Sequence, residues 1–233
     1  MAELHLDLTA DATRASLVRQ IAAQLPEGAV AQAEEDASEA GVPNRHHHDL
    51  ADILQTIDGL RVPDAVKENM RGIYTTLTRA EASVHGTTMD QAHFHEVGRP
   101  EGIANVVLVC LLLQALGASK VTATPVQMGS GTVNVAHGCM SVPAPATAAI
   151  LREGIPVCED RLEGELCTPT SAAMIKQFVT AFETQGYRLG TPPAAPAEPV
   201  PEHGHHHHGE HGHEHAHEGR GHAHEGHGAS HSA

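Results

Sequence analysis

Ile103-Ala104-Asn105-Val106-Val107-Leu108-Val109-Cys110-Leu111-Leu112-Leu113-Gln114-Ala115-Leu116 is the stretch whose reading decides the fold. It is shorter than the about 20 apolar residues that cross a bilayer, and it carries Asn105 and Gln114 inside it. It therefore reads as a buried helix, and no membrane is expected as a partner. Gly98-Arg99-Pro100-Glu101 makes the turn that launches it, with Pro100 tolerated in the first turn and Glu101 complementing the helix dipole. Gly117 stops it.

Just ahead of that helix stands His93-Phe94-His95-Glu96-Val97-Gly98. If this segment is extended, side chains alternate, and His93 and His95 share a face from which two imidazoles can grip one metal ion. If it is helical, residues two apart sit far round the cylinder, and only a looser arrangement with Glu96 against His93 survives. The extended reading is the functional one. Histidines that merely hydrogen-bond to their neighbours are the alternative, and the pattern alone leaves both open.

Outward from this centre the elements alternate. Glu3 to Leu8 reads as a short strand with Leu4, Leu6 and Leu8 on one face. Asp11 to Leu25 carries Leu17, Ile21 and Leu25 at helical spacing and stops at Pro26-Glu27-Gly28. Ala29 to Gly41, rich in alanine and acid, is a solvated helix or a linker. Arg45-His46-His47-His48-Asp49 precedes a helix with Leu50, Ile53, Leu54 and Ile57. Two of those three histidines with Asp49 could serve a metal; the alternative is a polar turn whose Asp49 complements the helix N-terminus. Pro63 to His85 is a further helix, stopped by Gly86, with His85 placed as a favourable C-terminal cation or a ligand.

Beyond the apolar helix, Val121 to Met128 reads as a buried strand interrupted by Pro125, and Thr132 to His137 as another strand. His137 and Cys139 are two apart and could share a face and a metal; Cys139 also reads as a small buried hydrophobe. Gly129-Ser130-Gly131 can expose backbone N–H groups to an anion, a weak signal without a P-loop lysine. After the stiff Val142-Pro143-Ala144-Pro145, a helix is expected over Ala146 to Leu151, a strand near Ile155 to Cys158, and a final helix from Ser171 to Thr184. Thr168 or Thr170 caps that last helix, or binds a ligand's phosphate or carboxylate there with Ser130 nearby in role. Short strands at both ends with helices between give α+β or a mixed α/β fold, helices on a small mixed sheet.

The totals exclude some functions. A formal net charge of −15 leaves no basic stripe to replace counterions along phosphates, so nucleic acid is not expected and cations are the natural partners. With 2% aromatic residues and no Trp, the core must be built from Ala, Val, Leu and Ile. Cys110, Cys139, Cys158 and Cys167 lack C-x-x-C spacing, and the chain opens Met1-Ala2-Glu3 without a leader pattern, so a reducing cytoplasm is expected. From Thr191 the composition turns to Pro and Ala, and from His203 to His, Gly, Glu and Ala, where 13 of the 21 histidines lie. The expected organisation is a domain over residues 1–190 and, over 191–233, a disordered linker and metal-binding tail. His205, His206, His207, His208, His211, His213, His215 and His217 are its candidate ligands. Imidazole with carboxylate suits nickel, zinc, copper and cobalt, and a flexible arm suits collecting and handing on. Loading should weaken as pH falls toward about 6, because protons take the same lone pairs.

Taken together, His46-His47-His48, Val84-His85-Gly86, His93-Phe94-His95-Glu96-Val97-Gly98, Gly129-Ser130-Gly131 with Ala136-His137-Gly138, Val142-Pro143-Ala144-Pro145-Ala146-Thr147 and Thr168-Pro169-Thr170 occur in a telling order. In that order the chain resembles the N-terminal part of the nickel-insertion protein of the lactate racemase cofactor, the pyridinium bisthiocarboxylic acid mononucleotide nickel chelatase family. The resemblance covers most of residues 45–180. It implies a cytoplasmic protein that binds Ni(II), in part through a His-rich region. That protein inserts the metal into a pyridinium nucleotide bearing two sulfur ligands, in a CTP-dependent, lyase-type reaction that forms a metal–carbon bond.

By that resemblance His93, His95 and Glu96 form the inner, catalytic site, with His46, His47, His48 and His137 as further candidate ligands. Three departures stand out. Asp7 is followed by Leu8-Thr9-Ala10-Asp11 instead of the family's Asp, Ser and Gly-rich motif; Glu101 and Asn105 stand where the family tends to carry acids; and the His-rich tail replaces a C-terminal nucleotide-binding domain. CTP is then expected to act only through that missing domain or a separate nucleotide-binding chain, and a homo-oligomer stays open. Two rival readings are a stand-alone or partner-dependent chelatase enzyme and a paralogue that stores nickel.

Overall fold

The first strand, β1 (Ala2–Leu6), is followed by helices α1 (Arg14–Ala22), α2 (Glu27–Glu39), α3 (Leu50–Gly59), α4 (Asp64–His85) and α5 (Pro100–Leu116). Strands β2 (Ala118–Ala123), β3 (Gly129–Ser130), β4 (Thr132–Val135) and β5 (Gly138–Ser141) lead to α6 (Pro145–Leu151). The chain closes with β6 (Gly164–Glu165), α7 (Pro169–Phe178) and β7 (Ala181–Phe182). This is a computed structural model, and it describes residues 2–94, 97–135 and 138–194. The architecture is α+β. The Pro/Ala linker beyond residue 194 and the His-rich tail lie outside the described residues.

α5 is the hub. Pro100 opens it at a position where no N–H is needed, Glu101 lies in its first turn, and Gly117 ends it in the left-handed conformation at φ 58°. Its buried residues Ile103, Val106, Val107, Val109, Cys110, Leu111 and Leu112 point to more than one side. A helix can be apolar all round only if neighbours cover it, and α1, α2, α4 and α7 do so. α2, rich in alanine and acid, is a helix and not a linker: it buries Ala33 and packs on α5, its acidic residues facing outward. Among the described residues no helix is long and apolar enough to cross a membrane.

β2 is the centre of a three-stranded parallel sheet in the order β1-β2-β7. Leu4 pairs with Val121 and Leu6 with Ala123, and Leu4, Leu6 and Leu8 are all buried as their alternation predicts. Two antiparallel ribbons, β3 with β6 and β4 with β5, complete the β structure.

Three expected spans need correction. The strand beginning near Val121 ends at Ala123, because Pro125 cannot donate to a ladder, and the backbone continues through isolated hydrogen bonds. Ile155 to Cys158 forms only single bridges, Val126 to Val157 and Cys158 to Leu189. The last helix ends at Phe178, not Thr184, with Val179 already extended at ψ 118°. β-branched Val179 and Thr180 favour that change, and β2 offers partners: Thr180 donates to the Val121 carbonyl and Glu183 to that of Ala123, both at 2.8 Å.

Because Leu112 is fully buried in the hub helix, Leu112→Ala should destabilise the chain by about 3 kcal/mol. Urea unfolding followed by circular dichroism measures it, and a loss under about 1 kcal/mol would contradict the packing described.

Candidate functional site

The two histidine-bearing loops are one structure. The amide of His47 donates to the Gly98 carbonyl at 2.8 Å, and the amide of Phe94 donates to the His48 carbonyl at 2.8 Å. The segment before α3 is thereby tied to the segment before α5, and the His48 carbonyl meets the peptide group that follows His93. Contact is so close that a Cβ on Gly98 would come within 2.0 Å of the His47 carbonyl oxygen. Only glycine allows this approach.

Each loop is anchored from its own side. Asp49 caps α3, its carboxylate accepting from the Asp52 amide at 2.8 Å, as the helix-start reading predicts. Arg45 grips the Asp52 carboxylate with both terminal nitrogens, at 2.8 and 2.5 Å, and that pairing holds the Asp52 carboxyl below the usual range. In the other loop Ala92 and Phe94 are buried while His93 between them is exposed, the alternation of an extended segment although no strand forms. The Phe94 ring meets the buried Tyr74 edge-on at 6.0 Å between centroids, and the Tyr74 hydroxyl donates to the Val97 carbonyl at 3.4 Å. Burial pushes the Tyr74 phenol far above its ordinary pKa, so it stays a donor.

The three consecutive histidines have different surroundings. His47 is fully buried, with Nδ1 3.3 Å from the Gly98 carbonyl and Nε2 2.8 Å from the Thr56 hydroxyl. A carbonyl can only accept, so Nδ1 carries the hydrogen and Nε2 takes the Thr56 hydroxyl proton in a hydrogen bond. Burial lowers its pKa, outweighing the Gly98 carbonyl, and keeps the ring neutral. Both nitrogens of His47 are thus engaged by protein. His46 and His48 face one another instead, Nδ1 to Nδ1 at 3.3 Å with rings edge-on at 4.7 Å, His48 exposed and His46 half-buried.

His95, Glu96, His137 and the tail ligands His205 to His208, His211, His213, His215 and His217 lie outside the described residues. Among the described residues no group of three or more His, Cys, Asp and Glu is arranged to hold a metal ion. His46, His48 and His93 are brought onto one pair of loops. Cys139 is exposed in the β4–β5 ribbon, opposite Asn134, so it is not the buried hydrophobe its chemistry suggests. His85, at the C-terminus of α4, lies 3.6 Å from Glu81.

The candidate anion-binding hydroxyls have local work. Ser130 donates to the Leu162 carbonyl at 2.8 Å. Thr168 caps α7 through a reciprocal box with Ser171, accepting at 3.2 Å from the Ser171 amide and offering its own amide to the Ser171 hydroxyl at 2.9 Å. Thr170 is half-buried in the first turn of α7. At the carboxyl end of β1, Asp7 accepts from the Thr9 amide and hydroxyl at 3.1 and 2.7 Å, bonds that lower its pKa and spend its carboxylate on a turn. Sequence reasoning overlooked the Arg45–Asp52 clamp and the His47–Thr56 lock. The first has a signal at seven-residue spacing across a helix start, whereas the second has none before the tertiary structure is known.

The α+β body therefore joins its two histidine-bearing loops through backbone hydrogen bonds. Its family matches residues 3–191, and the chain belongs to the nickel insertion proteins. It is similar to the pyridinium-3,5-bisthiocarboxylic acid mononucleotide nickel insertion protein of Staphylococcus saprophyticus, 40% identical over 63% of this chain and 39% of the relative. It is likewise similar to proteins of that name from Desulfitobacterium hafniense, 43% identical over 58% of this chain and 34% of the relative, and from Staphylococcus epidermidis, 39% identical over 59% and 34%. The chain spans between about a third and two-fifths of the length of these curated relatives. No solved structure matches it.

Two substitutions separate the lock from the ligands. Gly98→Ala should force the loops apart and cost about 2–4 kcal/mol in urea unfolding, since the obstructing atom is backbone. His47→Ala should cost a similar amount by removing the ring from a filled site and stranding the Thr56 hydroxyl. Wild-type stability in either variant would show that the loops do not depend on this contact.

Proposed function

We propose that the chain gathers Ni(II) as cargo and delivers it into a pyridinium dithiocarboxylate nucleotide, the acid for which its relatives are named. The observation that carries this reading is the hydrogen-bonded union of the 45–48 and 94–98 loops, within a chain of the nickel insertion family. Such a union fixes imidazoles where an ion can pass from one set of donors to another. His93, His95 and Glu96 form the inner site in this reading, with His46, His48 and His137 as further candidate ligands. His205 to His208, His211, His213, His215 and His217 collect the ion first, since a chain segment so rich in histidine and poor in apolar residues suits capture at low geometric cost.

Neutral imidazole is the ligand, so protons compete with nickel for every donor. The negative charge of the chain favours a cation's approach. Energy from CTP, where the reaction uses it, enters in this reading through a nucleotide-binding domain or a separate chain. The two nitrogens of His47 serve structure, so within that triplet His46 and His48 are the proposed ligands.

Transfer of nickel to pyridinium-3,5-bisthiocarboxylic acid mononucleotide, followed by absorbance and mass spectrometry with and without CTP and a partner chain, tests the proposal. Wild-type chain should metallate the nucleotide in at least one of these mixtures. His93→Ala with His95→Ala should lower the yield at least about tenfold while tail uptake of nickel continues. Uptake with no transfer in any mixture would leave only storage, and unchanged transfer by the double variant would remove the inner site.

A further inference from the structure

Residues 46 to 48 run with the middle ring turned inward and the outer two turned out. His47 is locked by its two ring contacts and by its amide, and the His48 carbonyl is held by Phe94. Side chains two apart in such a segment must share the outer side. The lock on the buried ring therefore dictates where His46 and His48 point, and their Nδ1 atoms meet at 3.3 Å.

That separation has a chemical meaning. Two imidazole nitrogens each about 2.1 Å from one ion, at an angle of roughly 90–110°, stand about 3.0–3.4 Å apart. Without metal, a contact of 3.3 Å fits one Nδ1–H donating to the other ring's Nδ1. A divalent cation in the same gap replaces that proton and accepts both lone pairs. The adjacent cation is already paired, since Arg45 grips the Asp52 carboxylate.

We propose that His46 and His48 form a two-nitrogen metal site, ligating a divalent transition-metal ion through Nδ1 of both rings, with His47 as its structural anchor. The site deepens the nickel-delivery reading and rests on it for the metal's identity, while its geometry stands independently. Two protein donors leave most of the ion's coordination positions to water or to a receiving ligand. Such a site binds weakly and releases readily, as transfer of cargo needs.

Cobalt(II) is the probe, added to the full-length chain carrying His46→Cys or His48→Cys. Both positions have solvent access, so neither exchange disturbs the core. Each variant should gain a thiolate-to-cobalt charge-transfer band absent from the wild-type chain with the same cobalt. Adding His48→Ala to the first, or His46→Ala to the second, should weaken cobalt binding at that band at least about tenfold. No band in either single variant, or a band indifferent to loss of the companion histidine, overturns the site. A chain that shows the band yet never metallates the nucleotide keeps the site and loses the delivery function; transfer without the band does the reverse.

Discussion

One carbonyl group, that of Gly98, carries an uncommon share of the organisation. It accepts the amide of His47 and lies beside that residue's Nδ1, so a single backbone oxygen fixes both the course of one loop and the rotation of one ring. Two lone pairs on one oxygen permit it, and the absence of a side chain on the same residue permits the approach. Around this point the apolar surroundings exclude water: Phe94, Tyr74 and Val97 are buried beneath the loops, and His47 has no solvent contact. A hydrogen bond screened in this way resists exchange with solvent, which is what a loop needs if it must hold donors still without regular secondary structure.

Much of the scaffold was legible in advance because its signals are local. The apolar run from Ile103 with proline before it and glycine after it allows one reading, and α5 follows it closely. The alternation of Leu4, Leu6 and Leu8 likewise needs only the period of two. Where sequence reading failed, a distant partner decided. Thr180 and Glu183 leave the expected helix because β2 provides carbonyls that no local pattern announces. For α2, acidic and poor in large apolar residues, local pattern left a solvated helix and a linker equally open, and packing of small Ala33 against the core decides for the helix.

The site was legible to a different degree. Residue type and spacing drew attention to the two histidine groups, and the structure joins them. Spacing could not tell the three neighbours apart, because consecutive histidines are chemically identical until burial assigns each a different environment. Thr56, nine residues on, makes that distinction by taking Nε2 of His47, and it has no mark in the sequence beyond lying on the inner face of α3. Ser130 and Thr168 illustrate the converse, since hydroxyls near glycines and helix starts attract ligand readings while their nearest work is capping and turn formation.

The sheet draws its strands from Ala2–Leu6, Ala118–Ala123 and Ala181–Phe182, so its middle and last members are synthesised long after its first. At about 5–20 residues per second, the leading strand waits on the order of ten seconds or more before any neighbour exists, and the hub helix emerges before α7, the last of the helices that cover it. Ring closures of this span also make such pairing slow once the pieces are present. In the cell, this polypeptide should therefore spend its first moments as a client of holding chaperones, until its last helix and strand arrive.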